Sequence, residues 1–304
     1  MPTTVVLNEP FRAVFYAPFY ATIARGDMAR EGIDLRLETA GDPATAAANL
    51  LSGKVDLAWS GPMRVIRERA QDPHSPLRSF CAVVMRDPFL LVGRGPRPAG
   101  FRLQDLPGLR FGTVSEVPTP WWCLQDDLRR LGVDPEAMPK RVGDRTMAEN
   151  AAAVAEGALD LAQMFEPYAT LLEARGGTVW HAQADRGPTA YTSLYSTETN
   201  IAAKRAEFEA VIRAMAATLA WITTAPPGEI AETVAPWFPD VPPDALRASL
   251  ARYQGLRLWS PTPRFPRDAF ERLRDAMLSC GVIASAPSFE LCVDEALVEE
   301  ALAR

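Results

Sequence analysis

Gly32-Ile33-Asp34, then Gly41-Asp42, Asn49, Gly53 and Asp56-Leu57-Ala58, have a later counterpart in Gly132-Val133-Asp134, Gly143-Asp144, Asn150, Gly157 and Asp160-Leu161-Ala162. In each copy the pattern predicts a helix that ends at a glycine, the residue that enters the left-handed region without a Cβ clash. A strand follows, a Gly-Asp turn starts the next helix, a glycine closes it, and Asp-Leu-Ala opens another strand. Chance likeness between two amphipathic βαβ stretches is the plain alternative, but the preserved order of landmarks favours two similar lobes. The strand ends Trp59-Ser60-Gly61 and Phe165-Glu166 then face each other across a cleft. Ligands of open α/β sheets bind beyond the carboxyl ends of the strands, where these residues would lie.

Working outward, Thr4–Asn8, Ile33–Glu38 and Val55–Trp59 read as strands, separated by helical stretches at Pro18–Arg30 and Ala44–Leu51. Phe19, Ile23 and Met28 fall on the inner side of the first helix. This alternation implies parallel β-α-β units and an α/β class. Two β-rich runs around Arg86-Asp87-Pro88 place a first crossover between lobes, and the polar, β-rich stretch 190–197 is the candidate return. Lobe 1 is then discontinuous, residues 1–90 plus 190–304, and lobe 2 is 91–189. After Ala202 the pattern is helical, with amphipathic runs at Phe208–Thr223, Pro243–Tyr253 and Pro266–Cys280, and Leu291–Ala303 as a terminal helix.

Composition bounds the function. A chain of 304 residues suits about two domains. A net charge of -6 without a Lys/Arg-rich run argues against nucleic acid as a partner. Cys81, Cys123, Cys280 and Cys292 form no C-x-x-C pair and read as core residues, and with only His74 and His181 no His-rich metal site is expected. No apolar run reaches the ~18 residues that cross a bilayer. Pro2-Thr3-Thr4-Val5 leads straight into a strand without a basic segment or long apolar stretch, so either a leader was removed or the protein works in the cytoplasm.

The segment from Tyr16-Ala17-Pro18-Phe19-Tyr20 to Glu31-Gly32-Ile33-Asp34 resembles the opening of the thiamine-pyrimidine precursor binding and synthase family and of the related nitrate/sulfonate/taurine-binding proteins. Leu50-Leu51-Ser52-Gly53, Leu106-Pro107-Gly108 and Phe165-Glu166-Pro167-Tyr168 are similar to later motifs of that group, as are Trp237-Phe238-Pro239 and Gly281-Val282-Ile283. The resemblance covers nearly the whole chain. It implies a two-lobed type II periplasmic-binding fold, each lobe a mixed, mainly parallel sheet flanked by helices, with two hinge crossovers. It also implies a membrane permease of an ABC importer as partner, a periplasmic location and no cofactor. The enzymatic branch of the family carries a histidine where Tyr16 stands and a cysteine-rich motif where Trp59-Ser60-Gly61-Pro62-Met63 stands.

Candidate binding residues follow from position. Phe15 and Tyr16 fall in the loop before the first helix, where a ring could stack on a planar ligand or simply join the core. Trp59, Ser60 and Gly61 end a strand, and Ser60-Gly61 offers a hydroxyl and a close backbone N–H, or else an ordinary turn. Ser115, Thr119 and Trp121 follow the strand Leu109–Val114. Thr119-Pro120 reads as helix N-cap and N1, leaving free N–H groups for an anionic or carbonyl oxygen. Tyr191 lies on the return crossover. Glu166 stands beside two aromatics, where a buried carboxylate needs either a donor-bearing ligand or a nearby arginine.

The expected function is capture of a small planar or amine-bearing molecule, aminopyrimidine-like first and sulfonate- or taurine-like second. Capture proceeds by hinge closure of a monomer near Asp87–Leu91 and Ala190–Ser193, without catalytic residues. The rivals are an enzyme on the same fold, making a pyrimidine precursor or decarboxylating an aromatic acid, and the effector domain of a transcription regulator.

Overall fold

The computed structural model describes residues 2–304. Strands β1 (Thr3–Glu9), β2 (Ile33–Thr39), β3 (Leu57–Ser60) and β4 (Leu77–Val84) precede β5 (Leu90–Arg94), β6 (Phe111–Val114), β7 (Arg141–Arg145), β8 (Leu161–Met164), β9 (Gly177–Ala182) and β10 (Thr192–Thr197). They form two five-stranded sheets, ordered β2-β1-β3-β10-β4 and β7-β6-β8-β5-β9. In the first, β1 runs parallel to β2 and β3, while β10 runs antiparallel to β3 and β4. In the second, β6 is parallel to β7 and β8, and β5 antiparallel to β8 and β9. The topologies are the same, and each sheet takes its one antiparallel strand from the far end of a crossover. The two sheets with their covering helices are called lobes 1 and 2 below.

The sequence echo has a hydrogen-bonded counterpart. Asp56, just before β3, accepts the Val6 N–H of β1 at 2.8 Å, and Asp160, just before β8, accepts the Arg110 N–H beside β6 at 2.7 Å. Asn49 donates to Asn8 Oδ1 (2.8 Å) and Asn150 to the Thr113 carbonyl (3.1 Å), each tying a helix to its central strand. The middle of the echo does not hold. Gly132, at φ +77°, follows the helix Thr119–Arg130, yet β7 starts only at Arg141 and contains Gly143-Asp144 within it. Asp134 folds its carboxylate onto the Glu136 N–H, and Pro135 lacks an N–H for a ladder, so a turn stands where the first copy has a strand. Thr146, with Glu149 in a capping box, starts the helix Met147–Glu156 instead.

Two expected helices are interrupted. The first breaks at Gly26 (φ +71°) into Ala17–Ala24 and Asp27–Arg30. The terminal one breaks into Phe289–Cys292 and Glu295–Leu302, because Val293 pairs with Ser79 at the edge of the first sheet.

The later helices brace both lobes. Arg205–Ile222 packs on Ala17–Ala24; Pro243–Gly255 reaches the lobe 2 helix Tyr168–Glu173, and Arg267–Ser279 lies against Thr119–Arg130. One apolar core runs through both lobes. Phe165 of lobe 2 meets Phe15 and Phe89 edge-on, each at 5.2 Å between ring centroids, and Phe15 meets Tyr191 at 5.8 Å. Such ring pairs add about 0.5–1.5 kcal/mol each beyond area burial. Among the described residues no helix is long and apolar enough to cross a membrane.

Candidate functional site

Two connected cavities lie between the lobes at the carboxyl ends of the central strands. The inner one, about 260 Å³, is lined by Phe15, Tyr16, Ser60, Gly61, Thr119 and Tyr191 of the sequence-derived candidates. The outer one is about 610 Å³, with Trp237–Val241 and Pro167-Tyr168 in its lining. Gly61 stands in a tight place: a Cβ would lie 3.3 Å from the Tyr191 carbonyl and 3.2 Å from the Met63 side chain, so these neighbours would have to give way slightly. Burial pushes the Tyr16 and Tyr191 phenols up, so both stay neutral donors. Trp259 donates its indole N–H to the Phe15 carbonyl at 3.0 Å, fixing that wall of the cavity from lobe 1.

Thr119 differs from its expected role. The N–H groups of Trp121 and Trp122 both donate to the Pro118 carbonyl at 3.2 Å, so Pro118 is the N-cap and Thr119 the first helical residue. Its position in the inner cavity is unaffected, and the positive helix end borders the cavity.

Four candidates lie elsewhere or are otherwise engaged. Trp59 is completely buried inside lobe 1, stacked on Phe19 at 4.1 Å and 9°, because its place in β3 directs it to the face under the helix Ala17–Ala24. Ser115 is exposed outside both cavities, its N–H drawn to the Arg145 carbonyl (3.0 Å) at the end of β7. Trp121 packs on Phe111 in lobe 2, with the Arg141 guanidinium 4.8 Å over its ring. Glu166 is fully buried and already satisfied. It pairs with Arg252, and it accepts from the Thr170 N–H (2.9 Å) and Ser249 Oγ (3.3 Å). Desolvation pushes its carboxyl up and Arg252 pulls it back. The nearby arginine, rather than a ligand donor, answers this carboxylate.

Sequence reasoning missed the residues that give the inner cavity its charge. Arg64 and Arg67 project into it from the helix Met63–Gln71, which starts immediately beyond Ser60-Gly61-Pro62. The Nε atoms of both are buried without a hydrogen-bond partner, and Arg64 is paired with no carboxylate among the described residues. Burial, reinforced by Arg67, pulls the Arg64 guanidinium below its ordinary value. Two like charges three apart on one helix face repel one another unless an anion joins them. That spacing, directly after a cleft-facing strand end, was the available signal. The acids of the site, Asp42 and Glu116, lie where the two cavities meet. Asp42 caps the helix Pro43–Leu51, and Glu116 accepts the Met147 N–H at 3.1 Å. None of the four cysteines lines either cavity, and burial pushes the Cys81 and Cys123 thiols up.

YtlA of Bacillus subtilis (strain 168), a provisionally named binding protein, is 25% identical over 98% of this chain and 90% of its own length. Among solved structures, the periplasmic aliphatic sulphonate binding protein SsuA from Escherichia coli covers 98% of this chain and all of its own (100%), with a TM-score of 0.75 at 15% identity. A mutant of DSZB in complex with biphenyl-2-sulfinic acid covers 100% of both chains, with a TM-score of 0.73 at 14% identity. At these identities the structural likeness establishes the fold, and the two five-stranded mixed sheets are the α/β periplasmic-binding architecture expected from the sequence. The family model described as NMT1/THI5 like matches residues 15–229, and the chain belongs to that family.

Proposed function

We propose that this protein is the solute-binding component of an ABC importer and that its ligand is a small organic anion with an apolar body. The observation that carries the reading is Arg64, half-buried in the inner cavity beside Ser60-Gly61 and in no ion pair among the described residues. A desolvated, unpaired guanidinium is costly, and an anionic head group would relieve that cost. Ser60, the Gly61 N–H and the helix end at Thr119 supply further donors, while Phe11, Phe15, Phe165 and Tyr191 supply apolar walls. This places sulfonates and carboxylates ahead of aminopyrimidines, reversing the order expected from Glu166. The names of the E. coli sulphonate-binding protein and of YtlA fit the same reading.

Mechanism in this reading is closure of residues 91–189 against 1–90 plus 190–304 about the two crossovers, with delivery to a membrane permease at the outer face of the membrane. Arg186, buried between Asp87 of the first crossover and Asp127 of the helix Thr119–Arg130, ties the crossovers together. A ligand gripped by Arg64 from lobe 1 and by the Thr119 helix end from lobe 2 favours the closed form. Catalysis on the same fold, as in the desulfurization enzyme DSZB, is the second reading, and no cysteine in the cleft supports it here.

Calorimetry with octanesulfonate, octanoate and an aminopyrimidine, on wild type and Arg64→Gln, tests the proposal. The anions should bind and lose about ten- to a hundredfold in affinity in the variant, the scale of one charged hydrogen bond. Binding of the aminopyrimidine alone, indifferent to Arg64, would overturn it.

A further inference from the structure

The division of the cleft into two chambers says more about the ligand, on the reading that the inner chamber holds an anion. At about 260 Å³ the inner chamber is below the usual range for a whole organic ligand and suits a head group with a short stem. It is not closed off. Phe11, Asp42, Pro43, Glu116, Val117 and Phe165 line both chambers, so the inner space adjoins the outer 610 Å³. The outer walls are apolar from three directions: Val14 from lobe 1, Tyr168 and Leu171 from lobe 2, and Trp237 and Val241 from the segment that crosses the mouth. Leu171 is 38% exposed there, one of few large apolar side chains left facing solvent.

Charge is graded along the same path. Arg64 and Arg67 line only the inner chamber, Asp42 and Glu116 line both, and Asp240 lines only the outer one. The remaining charges of the outer wall are taken: Arg12 pairs with Glu9, and Glu166 with Arg252. With Arg12 taken, only the inner chamber adds cations to the acids that the two share, and an anion is favoured there.

We propose that the ligand is a single-headed amphiphile whose anionic head sits on Arg64 and Arg67. Its alkyl or aryl tail passes Phe11 and Phe165 to lie in the outer chamber against Leu171, Trp237 and Val241. Short anions fill the head site alone. A second anionic group at the far end of the tail meets Asp240 and no free cation, and is disfavoured.

The test is calorimetry with methane-, butane-, hexane- and octanesulfonate and with the octane chain bearing a sulfonate at each end. From butane upward, affinity should rise by about fourfold per methylene, the scale of burying one such group. The double-ended compound should bind more weakly than octanesulfonate. Leu171→Arg should remove the chain-length dependence, with a thermal melt confirming that the variant is folded. A flat series from butane to octane, a slope that survives Leu171→Arg, or equal binding of the double-ended compound would each overturn the two-chamber assignment. Failure of every sulfonate, methanesulfonate included, would instead strike at the anion reading beneath it.

Discussion

Arg252 and Glu166 form an ion pair between the lobes: the guanidinium comes from the helix Pro243–Gly255, and the carboxylate stands just beyond β8. Arg252 also holds Glu173, and the neighbouring Tyr253 hydroxyl accepts the Glu166 N–H at 2.8 Å. The outer chamber thus has a brace behind one wall, and Glu166 belongs to that brace. Glu166→Gln should lower stability by about 1–3 kcal/mol, because Gln keeps the shape but loses the charge-assisted bonds. Affinity for the ligand should change by less than about threefold, under 0.7 kcal/mol. Thermal melts paired with calorimetry separate the two effects; an unchanged melting temperature with a tenfold weaker ligand would return Glu166 to the binding site.

Arg64→Gln should act in the opposite sense. Its charge is desolvated and unpaired in the empty protein, so removing it should leave the unliganded melting temperature unchanged or higher, while anion binding weakens. An anion at a hundred times its dissociation constant should stabilise the wild type by about 2.7 kcal/mol and the variant by much less. A variant that melts well below wild type without ligand would show that Arg64 is structural.

Asp160 should show a pH signature. The Arg110 side chain, with its N–H, holds the Asp160 carboxyl below its ordinary 3.8. Since the folded value is depressed, the contribution is present above the unfolded value and is lost as pH falls through the folded one. Both partners are partly exposed, so Asp160→Asn should cost only about 1 kcal/mol at pH ~7. Urea unfolding should show that gap shrinking as pH falls below about 4; a gap independent of pH would rule out an ionic contribution.

The buried pair of Arg186 and Asp87 sets a larger cost. Arg186→Met leaves Asp87 without its cation, with only the Gln183 amide and the Phe89 N–H, both at 2.9 Å, as donors. A loss of about 3–5 kcal/mol is expected, read as a lower urea midpoint. Adding Asp87→Asn should recover part of it, because the uncompensated charge is then gone. No recovery in the double variant would mean that Arg186 acts through packing or Asp127.

Much of this architecture is legible in the sequence because it depends on neighbours a few residues apart. Alternating strand and helix periodicity marks β1, β2, β3 and the helices between them, and Asp56 and Asp160 announce equivalent strands in the two sheets. Proximity to a strand end was enough to bring Phe15, Tyr16, Ser60, Gly61, Thr119 and Tyr191 to one cavity.

What the tertiary structure alone decided is which side chains find partners far along the chain. Trp59 and Ser60 are adjacent, but side chains alternate across a strand, so one stacks in the core on Phe19 and the other faces the cleft. Glu166 and Arg64 looked like a waiting carboxylate and an ordinary helix arginine. Packing of the helix Pro243–Gly255 across the lobes delivers Arg252 to Glu166, whereas the acids that share the inner cavity with Arg64, Asp42 and Glu116, accept from the Ala44, Thr45 and Met147 N–H groups and form no ion pair with it. Local periodicity determines where a strand ends; only the long-range packing of the chain determines which charge there is left for a ligand.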